Sequence, residues 1–477
     1  MIGAGPAGLA AAYELATHGI CPIVIEKADQ VGGIARTEVY KGYRFDIGGH
    51  RFFTKIPQIQ TLWEAMLGSE LRRVHRLSRI YYQGRFFQYP LDFWNTLSNL
   101  GLWESVQILF SYIQARIWPA KEEDNFEQWV SNRFGWRLYR TFFQTYTEKV
   151  WGIPCREIQA EWAAQRIHGL SLTTAVLSAL FGTESSKSLI HEFCYPVLGP
   201  GMMWQRFAQA VESHGGQVWL QCEAIGLQRD SQHITSVRVN REGKELEIKA
   251  DQVISSMPLR ELVVEFEPPA PHPVRKAAQG LRYRDFILVG LILNCPNPFP
   301  DNWLYIHSPE VKVGRIQNFR NWSPAMVPDA QKTSLGLEYF CNEGDELWSM
   351  PDHELVALAT HELSRIGLAK ETDVEEGVVF RQRKAYPVYD PAYRTNLEVI
   401  RGFLDTMDNL QTVGRNGMHR YNNMDHSMLT GILAARNVLG EHHDLWKVNV
   451  EQDYQEQLGT GRKGHVNDFP SYEYPVI

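Results

Sequence analysis

The sequence predicts an α/β fold built around a Rossmann-like dinucleotide-binding domain, and three observations predict it. The chain opens on Gly3-Ala4-Gly5-Pro6-Ala7-Gly8 and runs straight into an alanine-rich helical stretch over residues 9–17. A β-type run then follows, Cys21-Pro22-Ile23-Val24-Ile25, and it ends on an acid, Glu26. Far downstream, residues 218–227, 234–239 and 246–249 alternate like a strand meander and lead into Ala250-Asp251-Gln252-Val253-Ile254-Ser255-Ser256-Met257-Pro258, a strand that ends in small residues. With 477 residues the chain exceeds one ordinary domain, so two or three lobes are expected.

Each element of the opening has a physical task. Gly3 makes the tight turn out of a strand, Gly5 lets the backbone approach a pyrophosphate, and Gly8 lets helix and strand pack closely. The helix N-terminus, with Pro6 and Ala7 in its first turn, offers unpaired N–H groups to phosphate. Glu26 stands at the distance from which a carboxylate bonds ribose hydroxyls. Only Met1 and Ile2 precede Gly3, so the first strand is expected either to begin upstream or to be unusually short. A second glycine pair and a cation come next, in Val31-Gly32-Gly33-Ile34-Ala35-Arg36-Thr37. Arg36 taken alone would read as a solvated surface residue. Near the other end, Thr412-Val413-Gly414-Arg415 precedes a helix expected to start around Asp425-His426-Ser427. Residues 286–293 read as a buried strand.

Composition narrows the function. Apolar residues make up 44% and charged residues 22%, a globular balance with room for a large core. A net charge of −7 excludes a nucleic-acid binder that relies on overall positive charge, though it leaves room for a local basic pocket. The six cysteines are scattered and form no C-x-x-C pair, as in reduced, mostly buried thiols of a cytoplasmic protein. No leader peptide or integral membrane segment is expected. Residues 102–118 are aromatic-rich but interrupted by Glu104, Gln107, Gln114 and Arg116, and read as an amphipathic helix packed on its own protein, with peripheral membrane contact the alternative. Glu441-His442-His443-Asp444 has no further ligands spaced nearby, so no metal site is expected.

The segment from Val31 to Thr37 resembles the one that carries FAD phosphate contacts in the superfamily of monoamine oxidase, protoporphyrinogen oxidase and UDP-galactopyranose mutase. The resemblance implies a Rossmann-like FAD-binding (GR2-type) domain with an inserted helical lobe and a mixed-sheet substrate lobe. The expected division is a discontinuous FAD-binding domain over 1–54, 196–259 and 405–439, a mainly helical lobe over 55–195, a sheet-containing lobe over 260–404, and a tail over 440–477. FAD contacts are implied for Gly3, Gly5, Pro6, Ala7 and Gly8 of the opening, and for Glu26 and its neighbour Lys27. They are implied also for Gly32, Gly33 and Arg36, and for Gly414, Asp425, Ser427 and Met428 near the end.

Four further stretches resemble UDP-galactopyranose mutase, especially the eukaryotic type. Phe45-Asp46-Ile47-Gly48-Gly49-His50 matches the family's loop beside the flavin, with Gly48, Gly49 and His50 as cofactor contacts; alone, His50 would be a structural loop histidine. Lys149-Val150-Trp151-Gly152-Ile153-Pro154 is continued by Ile158-Gln159-Ala160-Glu161-Trp162 and Arg166, where Trp151 and Trp162 alone would be helix core. Trp303-Leu304-Tyr305 is followed ten residues later by Arg315, and the family places a tyrosine and an arginine at this separation on the substrate's diphosphate. Last come Tyr386-Pro387, Arg415, Tyr421 and Asn423, with two residues missing between Tyr421 and Asn423 relative to the family pattern.

The residue types suit a diphosphate, since guanidinium forks bind phosphate oxygens in pairs and phenols add donors without charge. The resemblance implies a pyranose/furanose mutase of a nucleotide-diphosphate sugar, in which reduced FAD acts through its N5 as nucleophile with no net redox. It implies catalytic roles for His50, Arg315 and Arg415, and substrate contacts from Arg166, Tyr305, Tyr386, Tyr421 and Asn423. A flavin reductant would then be a partner. The alternative is an FAD-dependent oxidoreductase of the amine oxidase or protoporphyrinogen oxidase type, with another small-molecule substrate on the same fold.

Overall fold

The computed structural model describes residues 1–89, 93–160 and 191–449. Arg166 and Trp162, and the tail beyond residue 449, lie outside the described residues.

A parallel sheet forms the first lobe. Ile23–Ile25 pairs with Gln217–Trp219 on one side, and Val253–Ser255 pairs with Leu410–Thr412 on the other. Ile2 closes the gap, bridging in parallel to both Ile25 and Ser255. Residues 1–3 are therefore hydrogen-bonded to strands on both sides. Gly3 N donates to Ile25 O (2.8 Å), Ile2 N to Ile254 O (2.9 Å), and Ser256 N to Ile2 O (2.9 Å). A ladder bonded on both edges leaves few backbone groups unpaired, and burial there costs little.

The helices Pro6–Thr17, Pro200–Ser213 and Met424–Val438 cover this sheet. The first and last lie so close that a Cβ on Gly431 would stand 2.1 Å from the carbonyl oxygen of Ala7. A buried ion pair, Arg436 Nε to Glu14 Oε1 at 2.8 Å, fastens the same two helices. Asn423 is the N-cap of Met424–Val438, so this helix begins one residue ahead of Asp425.

The meander is present as Cys222–Asp230, His233–Arg241 and Lys244–Lys249, all antiparallel, with Phe266–Glu267 added in parallel. Residues 218–227, expected as one strand, are divided between two sheets. Gln217–Trp219 joins the parallel sheet, and the chain bends at Gln221, whose φ is +51°, before Cys222 starts the meander. Alternation of apolar residues continues through the bend, so periodicity alone does not reveal it.

The second lobe is built on a seven-stranded sheet in the order Val374–Pro387, Tyr283–Leu293, Thr333–Cys341, Arg315–Asn318, Trp303–Ile306, Ser78–Tyr82, Arg85–Gln88. The buried strand expected at 286–293 is the inner part of Tyr283–Leu293. Its near-continuous apolar run matches burial on both faces, with Leu288 and Ile292 in one core and Leu291 and Leu293 in another. The last two strands come from the stretch between the opening and the helices Phe93–Leu100, Leu102–Ile117, Phe126–Phe134 and Thr145–Trp151.

The helix Leu102–Ile117 departs from expectation. It buries only Ile108 and Tyr112, while Leu102, Trp103, Val106, Leu109, Phe110, Ile113 and Ile117 are exposed. Ile108 and Tyr112 are four residues apart and form a narrow inward stripe, whereas Leu102, Val106, Leu109, Ile113 and Ile117 recur every three or four residues on another face. One helix thus carries two apolar faces, and the described residues cover one.

Candidate active site

The opening loop forms a cradle of backbone. Gly33 (φ +54°) sits against Gly5, where a Cβ on Gly33 would lie 3.3 Å from the Gly5 Cα. Gly8 presses on Gly3, where a Cβ would stand 1.9 Å from the Gly3 carbonyl oxygen. The helix Pro6–Thr17 has Gly5 as its N-cap and no side-chain cap, so its leading N–H groups remain for a ligand anion. Gly32 N donates to Ala4 O (2.8 Å) and joins the second glycine pair to the first. These features fit a dinucleotide pyrophosphate. Glu26 stands beside them, its two carboxylate oxygens accepting from Ala4 N (2.8 Å) and Ala28 N (3.0 Å), with lone pairs left over for ribose hydroxyls.

Other sequence-derived residues are placed less simply. Arg36 donates to Glu38 (2.6 Å), Gly33 O (3.0 Å) and Gln382 (2.6 Å), so it is held within the protein rather than solvated. Lys27 is exposed. Gly414 packs on the opening helix, with a Cβ there 3.0 Å from the Ala7 Cβ, and its N–H donates to Thr430 (3.0 Å). Asp425 and Ser427 are buried in the first turn of Met424–Val438. Met428 belongs to the core, its sulfur accepting from the indole of Trp63 (3.1 Å).

The loop at Gly48-Gly49-His50 links this cradle to the sheet lobe. The His50 Nε2 is bonded to the Ile47 carbonyl at 2.8 Å, which fixes the ring. Burial of the ring, and then the Arg415 and Arg315 guanidiniums, push the His50 pKa down to about 4, so the imidazole is neutral at pH 7. Behind the loop, burial raises the Asp46 pKa to about 7, although its carboxyl accepts from Tyr195 and from Thr37 (2.8 Å). A Cβ on Gly49 would meet the amide nitrogen of Gln317 at 2.8 Å. Gln317 donates onward to Glu338 (2.7 Å), leaving its Oε1 a buried acceptor with no partner among the described residues. Such an acceptor suits the N–H of a bound cofactor.

From Glu338 the network reaches the cations. Glu338, fully buried, holds the Nε of Arg315, and Arg315 donates its other fork to the Tyr386 hydroxyl (2.9 Å). Burial is the largest single influence on Arg315 and works against its charge, but the Glu338 carboxylate and the surrounding Tyr386, Tyr146 and Tyr421 phenols together outweigh it and hold the guanidinium charged. Tyr386 stacks on Tyr421 with centroids 5.7 Å apart and planes 19° from parallel. Arg415 lies over both rings, at 4.7 Å from Tyr421 and 5.6 Å from Tyr386, and donates to Asn422 O (2.9 Å) and Ala385 O (3.2 Å). His50, Arg315, Arg415, Tyr386 and Tyr421 therefore share one site. Tyr305 stands opposite Arg315 in the sheet register and meets the Tyr146 ring edgewise, with centroids 5.7 Å apart. Trp151 meets Tyr386 edgewise and Tyr421 at a tilt, with centroids 6.1 and 6.2 Å apart.

Several residues here escape sequence reasoning. Glu338 and Gln317 lie inside ordinary-looking strands, and only the sheet gives them a role: the register sets Glu338 opposite Arg315, and Gln317 follows Arg315 by two residues on the same strand. Asn422, not Asn423, is the buried amide at the helix entry, donating to Gly414 O (3.1 Å). Lys149 is spent on structure, its Nζ donating to the carbonyls of Ile306 (3.2 Å), Ser308 (3.0 Å) and Val313 (3.0 Å). At the other end of the chain His443 pairs with Glu441, and among the described residues no cluster of acids, histidines or cysteines could hold a metal ion.

A family model described as flavin containing amine oxidoreductase matches residues 6–439. The chain belongs to that family. Membership makes it a flavin-containing enzyme. Among solved structures, reduced UDP-galactopyranose mutase superposes with a TM-score of 0.82 at 22% identity, covering 95% of this chain and 98% of that one. Putrescine oxidase bound to putrescine superposes with a TM-score of 0.60 at 18% identity, covering 92% and 98%. Coproporphyrinogen III oxidase of Mycobacterium leprae is 23% identical over 85% of this chain and 90% of its own length. The fold is thus that of the family, and like that of the mutase across nearly the whole chain. No helix among the described residues is long and apolar enough to cross a membrane.

Proposed function

We propose that this flavoenzyme is a pyranose/furanose mutase of a nucleotide-diphosphate sugar, using FAD in its reduced form. The observation that carries the reading is the pair of guanidiniums joined through one phenol, Arg315 bonded to the Tyr386 hydroxyl and Arg415 lying over the same ring. Two planar cations held this way suit a diphosphate leaving group, to which tyrosine hydroxyls add donors without charge. FAD, when bound and reduced, supplies the nucleophile at N5 for the sugar's anomeric carbon. The chain's own residues do the rest. Arg315 and Arg415 hold the diphosphate and stabilise the charge it gains on leaving, an electrostatic contribution that grows where water is excluded. Tyr305, Tyr386 and Tyr421 complete the clamp. Neutral His50, fixed by Ile47, orients the loop on the flavin side and adds no charge beside the two arginines. Arg166 is assigned to the nucleotide end from the sequence alone, and a reductant must keep the flavin reduced.

A second reading, a net oxidoreductase, draws on the stacked Tyr386–Tyr421 pair, which would also line a slot for a flat substrate. The same arginines repel a protonated amine, so this reading favours an anionic substrate such as a polycarboxylate. The two readings part on UDP. Titration of UDP into the FAD-loaded enzyme should perturb the flavin absorbance, and Arg415→Lys should weaken the apparent Kd about tenfold or more by losing the planar fork. UDP that leaves the spectrum unchanged at millimolar concentration would remove the diphosphate reading.

A further inference from the structure

We propose that the exposed face of the helix Leu102–Ile117, with the arginines beside it, docks this enzyme on the surface of an anionic lipid bilayer. Leu102 (83% exposed), Phe110 (70%) and the flanking Trp103 and Trp118 (75% each) stand in solvent with Val106, Leu109, Ile113 and Ile117. At 100° per residue the apolar members of the helix cover an arc of about 120°, the breadth of a face that normally lies on a core. The inward stripe is a different one, Ile108 and Tyr112. Tryptophan at each end of the face, with half-exposed Trp136 nearby on the same lobe, is the residue type that settles at the headgroup level.

Charge decides the occupant. A cleft of about 460 Å³ opens beside the N-terminal part of the helix, and Arg85, Arg137 and Arg140 line it with Glu104 as the one carboxylate. Glu104 is taken by Arg137 at 2.6 Å. Arg85 and Arg140, and Arg116 on the helix itself, are exposed and form no ion pair among the described residues. The acids of the following loop are partly spent, since Glu123 pairs with Arg133 (2.8 Å), while Glu122 and Asp124 are exposed past the helix C-terminus. A two-fold contact between copies would lay this face on itself and bring its uncompensated arginines together. Anionic headgroups instead meet the arginines while the apolar arc enters the acyl boundary. Contact of this kind is peripheral and needs no spanning helix.

The test is sedimentation of the full-length, FAD-loaded protein with vesicles. Wild type should pellet with phosphatidylglycerol-containing vesicles. Binding should fall at least about tenfold on pure phosphatidylcholine, in about 0.5 M salt, or on the double substitution Phe110→Glu and Ile113→Glu. That variant should keep its flavin and its melting temperature, because both side chains are exposed. Four results would overturn the proposal. Wild type could remain in the supernatant, or the variant could pellet like wild type. The wild type could prove a dimer that the variant dissociates, which assigns the face to a second copy. A variant melting several degrees lower would show the face covered by the chain itself.

Discussion

Asp46 ends a strand and His50 lies four residues on, in the loop that follows, and their titrations oppose each other. The folded-state pKa of His50 is lowered to about 4 from 6.5, so the unfolded chain binds the extra proton between those values. Its contribution to stability is full above pH 6.5 and is lost as pH falls towards 4. Asp46 is raised to about 7 from 3.8, so its protonated form is favoured on folding, and that contribution is lost as pH rises from about 4 through 7. Wild-type denaturation midpoints between pH 4 and 7 should therefore change less than either group alone dictates. Asp46→Asn should leave a profile that rises with pH, and His50→Gln one that falls. Identical slopes in both variants would show that neither group titrates in this way. On the clamp itself, Tyr386→Phe removes one hydrogen bond to Arg315 and should weaken UDP binding by about 1 kcal/mol, or roughly fivefold, with flavin content unchanged. These roles were only partly legible in the sequence. Arg315, Arg415 and the tyrosines stand out by their order along the chain. Glu338, which pairs with Arg315, is a glutamate in a strand until the sheet register places it opposite.

At the scale of elements, the pair Pro6–Thr17 and Met424–Val438 determines how well the pyrophosphate cradle is held. Gly431→Ala puts a methyl 2.1 Å from the Ala7 carbonyl oxygen, a backbone atom that cannot swing aside. The substitution should cost about 2–3 kcal/mol and lower flavin retention, read as melting temperature and FAD released on gel filtration. Arg436→Met leaves Glu14 buried and alone, and should cost about 3–5 kcal/mol in the same melting experiment. If both variants melt like wild type with full flavin, the helix pair does not support the cradle. The opening helix was readable from its glycines and alanines because each has a local steric reason. Contact with a helix more than 400 residues later was not readable, since neither Gly431 nor Arg436 carries a local signal. The bend at Gln221 and the outward face of Leu102–Ile117 were hidden for a related reason. Alternation and amphipathicity report that a face is apolar, and the partner of that face is set by tertiary structure.

For the whole molecule, the glycine signature and the ordered tyrosines and arginines point to one flavin-binding architecture in which two lobes contribute to one site. The family's fold supports several chemistries, so the reaction rests on the clamp and not on the architecture. Gln317, packed against Gly49, is joined through Glu338 to Arg315 and Tyr386, which ties the loop before His50 to the cations and suits a reaction whose leaving group is anionic. The measurement that tests this most directly is incubation of dithionite-reduced, FAD-loaded enzyme with UDP-galactopyranose or UDP-galactofuranose, the nucleotide sugars separated by chromatography and oxidised enzyme run as control. The reduced enzyme alone should interconvert the two sugars, with no net consumption of reductant. A reduced enzyme that leaves both sugars unchanged, together with a flavin spectrum indifferent to UDP, would contradict it and assign the site to a net oxidation.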